Sequence, residues 1–246
     1  IAVPPDERVA AVRAVLPGAN CGACGFPGCD GMAAALVKGE AKPEGCTAGG
    51  PSTAAAVAEV LGLEVSAGER LVVAVHCVGS NEKARRSYEY LGIDDCRAAA
   101  IMPGGGPKAC SYGCVGLGTC VKVCPFDALS MDPVAGLPVV DRDKCTGCGI
   151  CTHECPKNIL ALVPVSQPTF VACRNVEKGP QVRKVCSAGC IACGLCVRSC
   201  PQKTISLVNN VAYIDPSGCD GCGTCVEKCP TKCIVATREV PVVQAV

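Results

Sequence analysis

KACSYGCVGLGTCVKVCP at residues 108–125 aligns without a gap on KVCSAGCIACGLCVRSCP at residues 184–201. The match extends upstream, where VAVHC closes on Cys77 and FVAC closes on Cys173. Both are strand-like apolar runs ending on a cysteine ahead of the motif. Each copy is followed by a second cysteine run, CTGCGICTHECP at 145–156 and CDGCGTCVEKCP at 219–230. A repeated unit with two cysteine motifs per copy decides the architecture, because neighbouring copies of one small module must stack or interlock.

The spacing within these runs is that of a metal protein. A disulfide framework scatters its partners, whereas runs such as Cys219, Cys222, Cys225 and Cys229 converge thiols on one small volume, as in proteins kept reduced. In the two-cluster pattern CxxCxxCxxxCP, three thiolates wrap three corners of a 4Fe-4S cube and the fourth cysteine ligates the other cube. Proline after that cysteine ends the local turn. Three runs fit: Cys145, Cys148, Cys151, Cys155; Cys190, Cys193, Cys196, Cys200; and Cys219, Cys222, Cys225, Cys229. The crossing rule puts Cys229 with Cys190, Cys193 and Cys196, and Cys200 with Cys219, Cys222 and Cys225.

The remaining run departs from the pattern, since Leu117 stands where its repeat has Cys193. Cys110 or Cys114 must make up the difference. The expected grouping is Cys110, Cys114, Cys120 and Cys155 in one cube, with Cys124, Cys145, Cys148 and Cys151 in its partner.

At the N-terminus, Cys21, Cys24 and Cys29 lie in CGACGFPGC and Cys46 follows. That suits a cube held by one loop and closed from beyond a helix, with glycines 22, 25 and 28 letting backbone N–H groups approach cluster sulfurs. Tetrahedral zinc is the structural alternative for four cysteines. The expected complement is therefore about five 4Fe-4S clusters.

Composition agrees. Of 246 residues 25 are cysteine, against three phenylalanines, four tyrosines and no tryptophan, a poor recipe for a large apolar core. Cys77, Cys96, Cys173, Cys186 and Cys233 are left over. The default for such residues is a small buried thiol. Cys77 with Cys173, and Cys110 with Cys186, nonetheless occupy matching places in the repeat, so a sixth cluster or a redistributed ligand set stands as the alternative. His76 and His153 read as packed or hydrogen-bonding imidazoles and not as ligands. A net charge of +1 without a basic run offers nothing to nucleic acid. No stretch has the eighteen or so apolar residues that span a bilayer. The chain opens on Ile1, which leads one to expect an upstream segment.

The expected fold class is α+β. Residues 1–62 form an N-terminal 4Fe-4S domain, with helices at 4–16 behind Asp6, at 32–38, and from Ser52 to Gly62. Residues 63–109 form a small α/β connecting segment with a strand at 71–76 and a helix at 81–91. Two bacterial-type two-cluster ferredoxin-like modules follow at 110–163 and 186–246, joined by a linker at 164–185. Asn209 and Asn210 between TISLV and VAYI mark a hairpin in the second module.

LPGANCGACGFPGC with Cys46 downstream, then KACSYGCVGLGTCVKVCPFDA and CTGCGICTHECPKNI, resembles the B subunit of the Rnf complex, the membrane-bound ferredoxin:NAD⁺ oxidoreductase that translocates sodium ions or protons. The resemblance covers nearly the whole chain. It implies an oxidoreductase and translocase subunit that takes electrons from reduced ferredoxin and feeds them to partners holding the flavins and the NAD⁺ site. It also implies a place on the cytoplasmic face of a prokaryotic cell membrane, through partners or through an N-terminal helix that this sequence does not contain. No GxGxxG fingerprint is present, in keeping with electron transfer alone. Lys178, Arg183 and Lys184, and Lys83, Arg85 and Arg86, are the basic groups expected to meet an acidic ferredoxin; the alternative for each is an ordinary solvated face.

Overall fold

The computed structural model describes residues 6–65 and 68–237. Pro4 and Pro5, read as part of the first helix entry, lie outside them. Asp6 starts helix α1 (Glu7–Val15) by accepting the Arg8 backbone N–H at 3.0 Å. Helix α2 (Gly28–Lys38) and helix α3 (Gly50–Leu61) both stop at a left-handed glycine, Gly39 and Gly62. The third helix begins ahead of the expected Ser52, because Pro51 suits a first turn that needs no N–H donor. Val12, Met32 and Val57 are fully or almost fully buried where the three helices meet. Each contributes about 1.5–3 kcal/mol on the usual scale for an apolar side chain. Arg13 and Asp30 close the outside of the α1–α2 contact at 2.9 Å.

The rest of the described chain is built from four two-stranded antiparallel ladders. In the first half, strand β1 (Leu71–Val75) precedes helices α4 (Cys96–Ala100) and α5 (Thr119–Lys122), then β2 (Leu129–Asp132), β3 (Leu137–Val140), helix α6 (Ile150–Glu154) and β4 (Leu160–Pro164). β2 pairs with β3, and β1 pairs with β4 in the register Leu71↔Pro164 to Val75↔Leu160. The second half repeats this plan with β5 (Thr169–Val171), α7 (Gly179–Val185), α8 (Leu195–Ser199), β6 (Ile205–Val208), β7 (Val211–Ile214), α9 (Thr224–Lys228) and β8 (Ile234–Ala236). β6 pairs with β7 across Asn209 and Asn210, both at positive φ as a two-residue hairpin turn requires, and β5 pairs with β8.

The strands that end on Cys77 and Cys173 thus hydrogen-bond to the last strand of their own halves. Residues 71–75 and 169–171, read as parts of a connecting segment and a linker, complete the ladders.

Residues 81–91 are not helical. Ala84 bridges Cys186 and Arg86 bridges Lys108, with Arg85 N–H donating to Val185 O at 2.9 Å and Ala109 N–H donating to Arg85 O at 2.7 Å. The segment is held extended between the two copies of the repeat, and those pairings override its local helical preference.

Candidate iron-sulfur sites

Each cluster loop depends on backbone that only a few residues adopt cheaply. Gly147 and Gly149, Ala192 and Gly194, and Gly221 and Gly223 flank the middle cysteine of the three regular motifs, all at φ between 55° and 80°. Gly116 (φ 90°) and Gly118 (φ 69°) keep the same turn around Leu117, so this loop retains its path although its middle sulfur is missing. A second turn recurs four times. Asp127, Asn158, Lys203 and Lys232 each sit three residues after the Cys-Pro cysteine at φ of 49° to 54°. Asn158, Lys203 and Lys232 donate their N–H back to that cysteine's carbonyl at 3.1 to 3.3 Å.

Cys21, Cys24, Cys29 and Cys46 line one cavity of about 340 Å³ empty volume at the N-terminal helices. Asn20 holds it by accepting the Cys29 N–H at 2.8 Å. Burial raises the Cys46 thiol above its usual range, and the charges of Cys24, Cys29 and Cys21 push the same way. In the first half, burial and then Cys148, Cys120, Cys145 and Cys124 drive Cys151 up to about 12. In the second half, burial and then Cys190, Cys193 and Cys229 raise Cys196 to about 11, and Cys225 feels Cys219 and Cys222. Cys200 lies with Cys190, Cys196, Cys219, Cys225 and Cys229 in the apolar core of that half, whereas Cys193 and Cys222 are exposed.

The cavity around the irregular loop is lined by Cys96, Cys114, Cys120 and Cys155, with about 370 Å³ of empty volume. Cys110, grouped with the last three from sequence, does not line it. Cys96 stands there because Thr119 fastens α4 to the loop: its Oγ1 accepts the Cys96 N–H at 2.7 Å and donates to Asp95 Oδ2 at 3.1 Å. After burial, the charge of Cys96 does most to drive Cys120 up to about 12, followed by Cys155.

Cys110 instead shares a cavity of about 390 Å³ empty volume with Cys77, Cys173 and Cys186. Three of these four were leftovers in the sequence, as was Cys96. The signals that mark them were the paired places of Cys77 with Cys173 and of Cys110 with Cys186, and the missing sulfur at Leu117. Cys233 lines none of the described quartet cavities. It is 2% exposed and its sulfur is 3.6 Å from that of Cys229, whose thiol is lowered to about 4 first by the hydrogen bond between them. His76 spends Nδ1 on the Val171 carbonyl at 2.7 Å, and burial lowers it to about 4. His153 is exposed.

These quartets fit a cube better than a single ion. Among the described residues no three His, Cys, Asp or Glu side chains converge on one metal centre. Zinc, with bonds of about 2.3 Å to sulfur, would need that convergence. Four ionised sulfurs around one apolar cavity are costly to bury and repel one another, so an embedded positive core is what allows them to ionise.

Family models match three stretches: residues 16–48 an Fe-S cluster family, and residues 109–159 and 183–230 each a 4Fe-4S dicluster domain. The chain carries 4Fe-4S clusters. Among curated proteins, the B subunit of the Na⁺-translocating ferredoxin:NAD⁺ oxidoreductase complex of Acetobacterium woodii is 51% identical over 210 residues, 85% of this chain and 62% of that protein. The B subunit of the proton-translocating ferredoxin:NAD⁺ oxidoreductase complex of Clostridium ljungdahlii is 49% identical over 207 residues, 84% of this chain and 72% of that protein. The B subunit of an ion-translocating oxidoreductase complex of Methanosarcina acetivorans is 45% identical over 178 residues, 72% of this chain and 67% of that protein.

Proposed function

Because the chain belongs to the family of B subunits of ion-translocating ferredoxin:NAD⁺ oxidoreductase complexes, we propose that it takes electrons from reduced ferredoxin and relays them to the flavin- and NAD-binding subunits of such a complex. Bound 4Fe-4S clusters supply one-electron redox chemistry. The protein's own part is to hold each cube by four thiolates and to keep it apart from water. The proposed ligand sets are Cys21, Cys24, Cys29 and Cys46; Cys96, Cys114, Cys120 and Cys155; Cys124, Cys145, Cys148 and Cys151; Cys190, Cys193, Cys196 and Cys229; and Cys200, Cys219, Cys222 and Cys225. The place of work is the cytoplasmic face of a prokaryotic membrane, on partner subunits or an N-terminal helix. Among the described residues no helix is long and apolar enough to cross a membrane.

The observation that carries the ferredoxin reading is a basic face that the fold assembles. Lys83, Arg85 and Arg86 lie on the extended segment paired to residues 185–187, next to Arg183 and Lys184 at the end of α7. With Lys178 all are exposed, and none takes part in an ion pair among the described residues. An acidic donor steered to that face associates more slowly as salt rises. The rate of chain reduction by reduced ferredoxin is therefore expected to fall steeply between low and physiological salt, and to fall at low salt when Lys178, Arg183 and Lys184 become glutamine. A rate indifferent to both changes would remove this face as the docking site.

A further inference from the structure

We propose that Cys77, Cys110, Cys173 and Cys186 ligate a sixth 4Fe-4S cluster, seated between the two halves of the repeat and joining their clusters into one line. This rests on the reading of the chain as an iron-sulfur relay. None of the three matched family stretches contains both halves of the quartet, and Cys77 and Cys173 fall outside all three.

The first support is the repeat itself. Cys77 corresponds to Cys173 and Cys110 to Cys186 in the repeat, so each half supplies the same two ligands. The correspondence extends to hydrogen bonds. The Cys114 N–H points to Cys77 Sγ at 3.5 Å, and the Cys190 N–H, its repeat equivalent, points to Cys173 Sγ at 3.3 Å. The segment at 83–86 runs between the two copies and is hydrogen-bonded to both.

The second support is the size and chemistry of the site. Its empty volume of about 390 Å³ matches the 340 and 370 Å³ of the cavities lined by Cys21, Cys24, Cys29 and Cys46 and by Cys96, Cys114, Cys120 and Cys155. A Cβ placed on Gly79 would meet the sulfurs of Cys186 at 3.4 Å and Cys77 at 3.6 Å, so the backbone approaches the site as cluster loops do. The Asn175 side chain, 1% exposed, donates to Cys110 Sγ at 3.4 Å. Lys108, 5% exposed, lines the cavity and gives its ammonium to the Gly79 carbonyl at 2.7 Å, with no carboxylate partner among the described residues. A buried cation without a counter-ion is balanced by an anionic group, and a cube with four thiolates is one.

The third support is arithmetic. Six quartets use all but one of the 25 cysteines, and Cys233 is the remainder. The position also completes a connection. Cys77 touches the Cys114 loop and Cys173 touches the Cys190 loop, so the site borders one quartet of each half.

Native mass spectrometry of the anaerobically purified full chain counts cubes directly and needs no variant. Six cubes, about 24 iron per chain, are expected. Cys173→Ser and Cys77→Ser should each lose one cube, about four iron, and Cys233→Ser none. Loss of the cube should also separate the single reduction time course into two phases, one for each half. Five cubes in the unaltered chain, or an unchanged count in both serine variants, would overturn the sixth site and leave the relay intact. A chain holding zinc in place of iron would overturn both.

Discussion

The two halves of the repeat hold equivalent loops by different means. In the second half, Cys190, Cys193 and Cys196 follow one another within one loop, and the proposed set adds Cys229. In the first, Gly116 and Gly118 preserve the same left-handed turn around Leu117, but the cavity beside it is lined by Cys96, proposed above as the replacement sulfur, on a helix more than twenty residues upstream. Thr119, which fastens that helix, replaces the Leu195 of the other copy. A cube demands sulfurs in certain directions and is indifferent to which segment brings them. Loop path and ligand identity are therefore separable, and the proposed ligand sets separate them in one half.

That comparison is open to direct attack. Cys96→Ser should remove one cube, about four iron per chain, and adding Leu117→Cys to that variant should restore it, since the loop turn is already in place. Iron counted in both proteins decides the matter; a full complement in Cys96→Ser would return the place to Cys110. A loss of the same four iron tests the regular half. Cys200→Ala should abolish the cube of Cys219, Cys222 and Cys225 and spare that of Cys190, Cys193 and Cys196, because the fourth ligand crosses between motifs. A structure of the variant with the opposite loss would show that the ligands do not cross. The smallest effect belongs to Thr119→Val, which keeps the shape but takes the acceptor from the buried Cys96 N–H. About 1–3 kcal/mol of stability should go with it. It would be read as an earlier loss of cluster absorbance on heating, with Leu195→Val in the other half as the silent counterpart.

Much of the molecule was legible because its chemistry is local. The regular motifs put three sulfurs within one turn, so their spacing alone announces a cluster, and the gap-free repeat announces the duplication. Asp6 as a helix cap and Asn209 with Asn210 as a hairpin are likewise short-range signals that needed no partner from afar.

What the sequence did not show is whatever depends on contacts between distant segments. Residues 81–91 read as helix by composition, but backbone groups of both repeat copies claim them as an extended strip. The strand before Cys77 looked like a connection until its pairing with residues 160–164 made it part of a module. Cys96 and the set of Cys77, Cys110, Cys173 and Cys186 follow the same logic. Within a motif the covalent chain fixes how far apart two sulfurs can be, so sequence alone determined the regular ligand sets as expectations. Between motifs that distance is set by packing and hydrogen bonds, and only the tertiary structure could decide which sulfurs face one another.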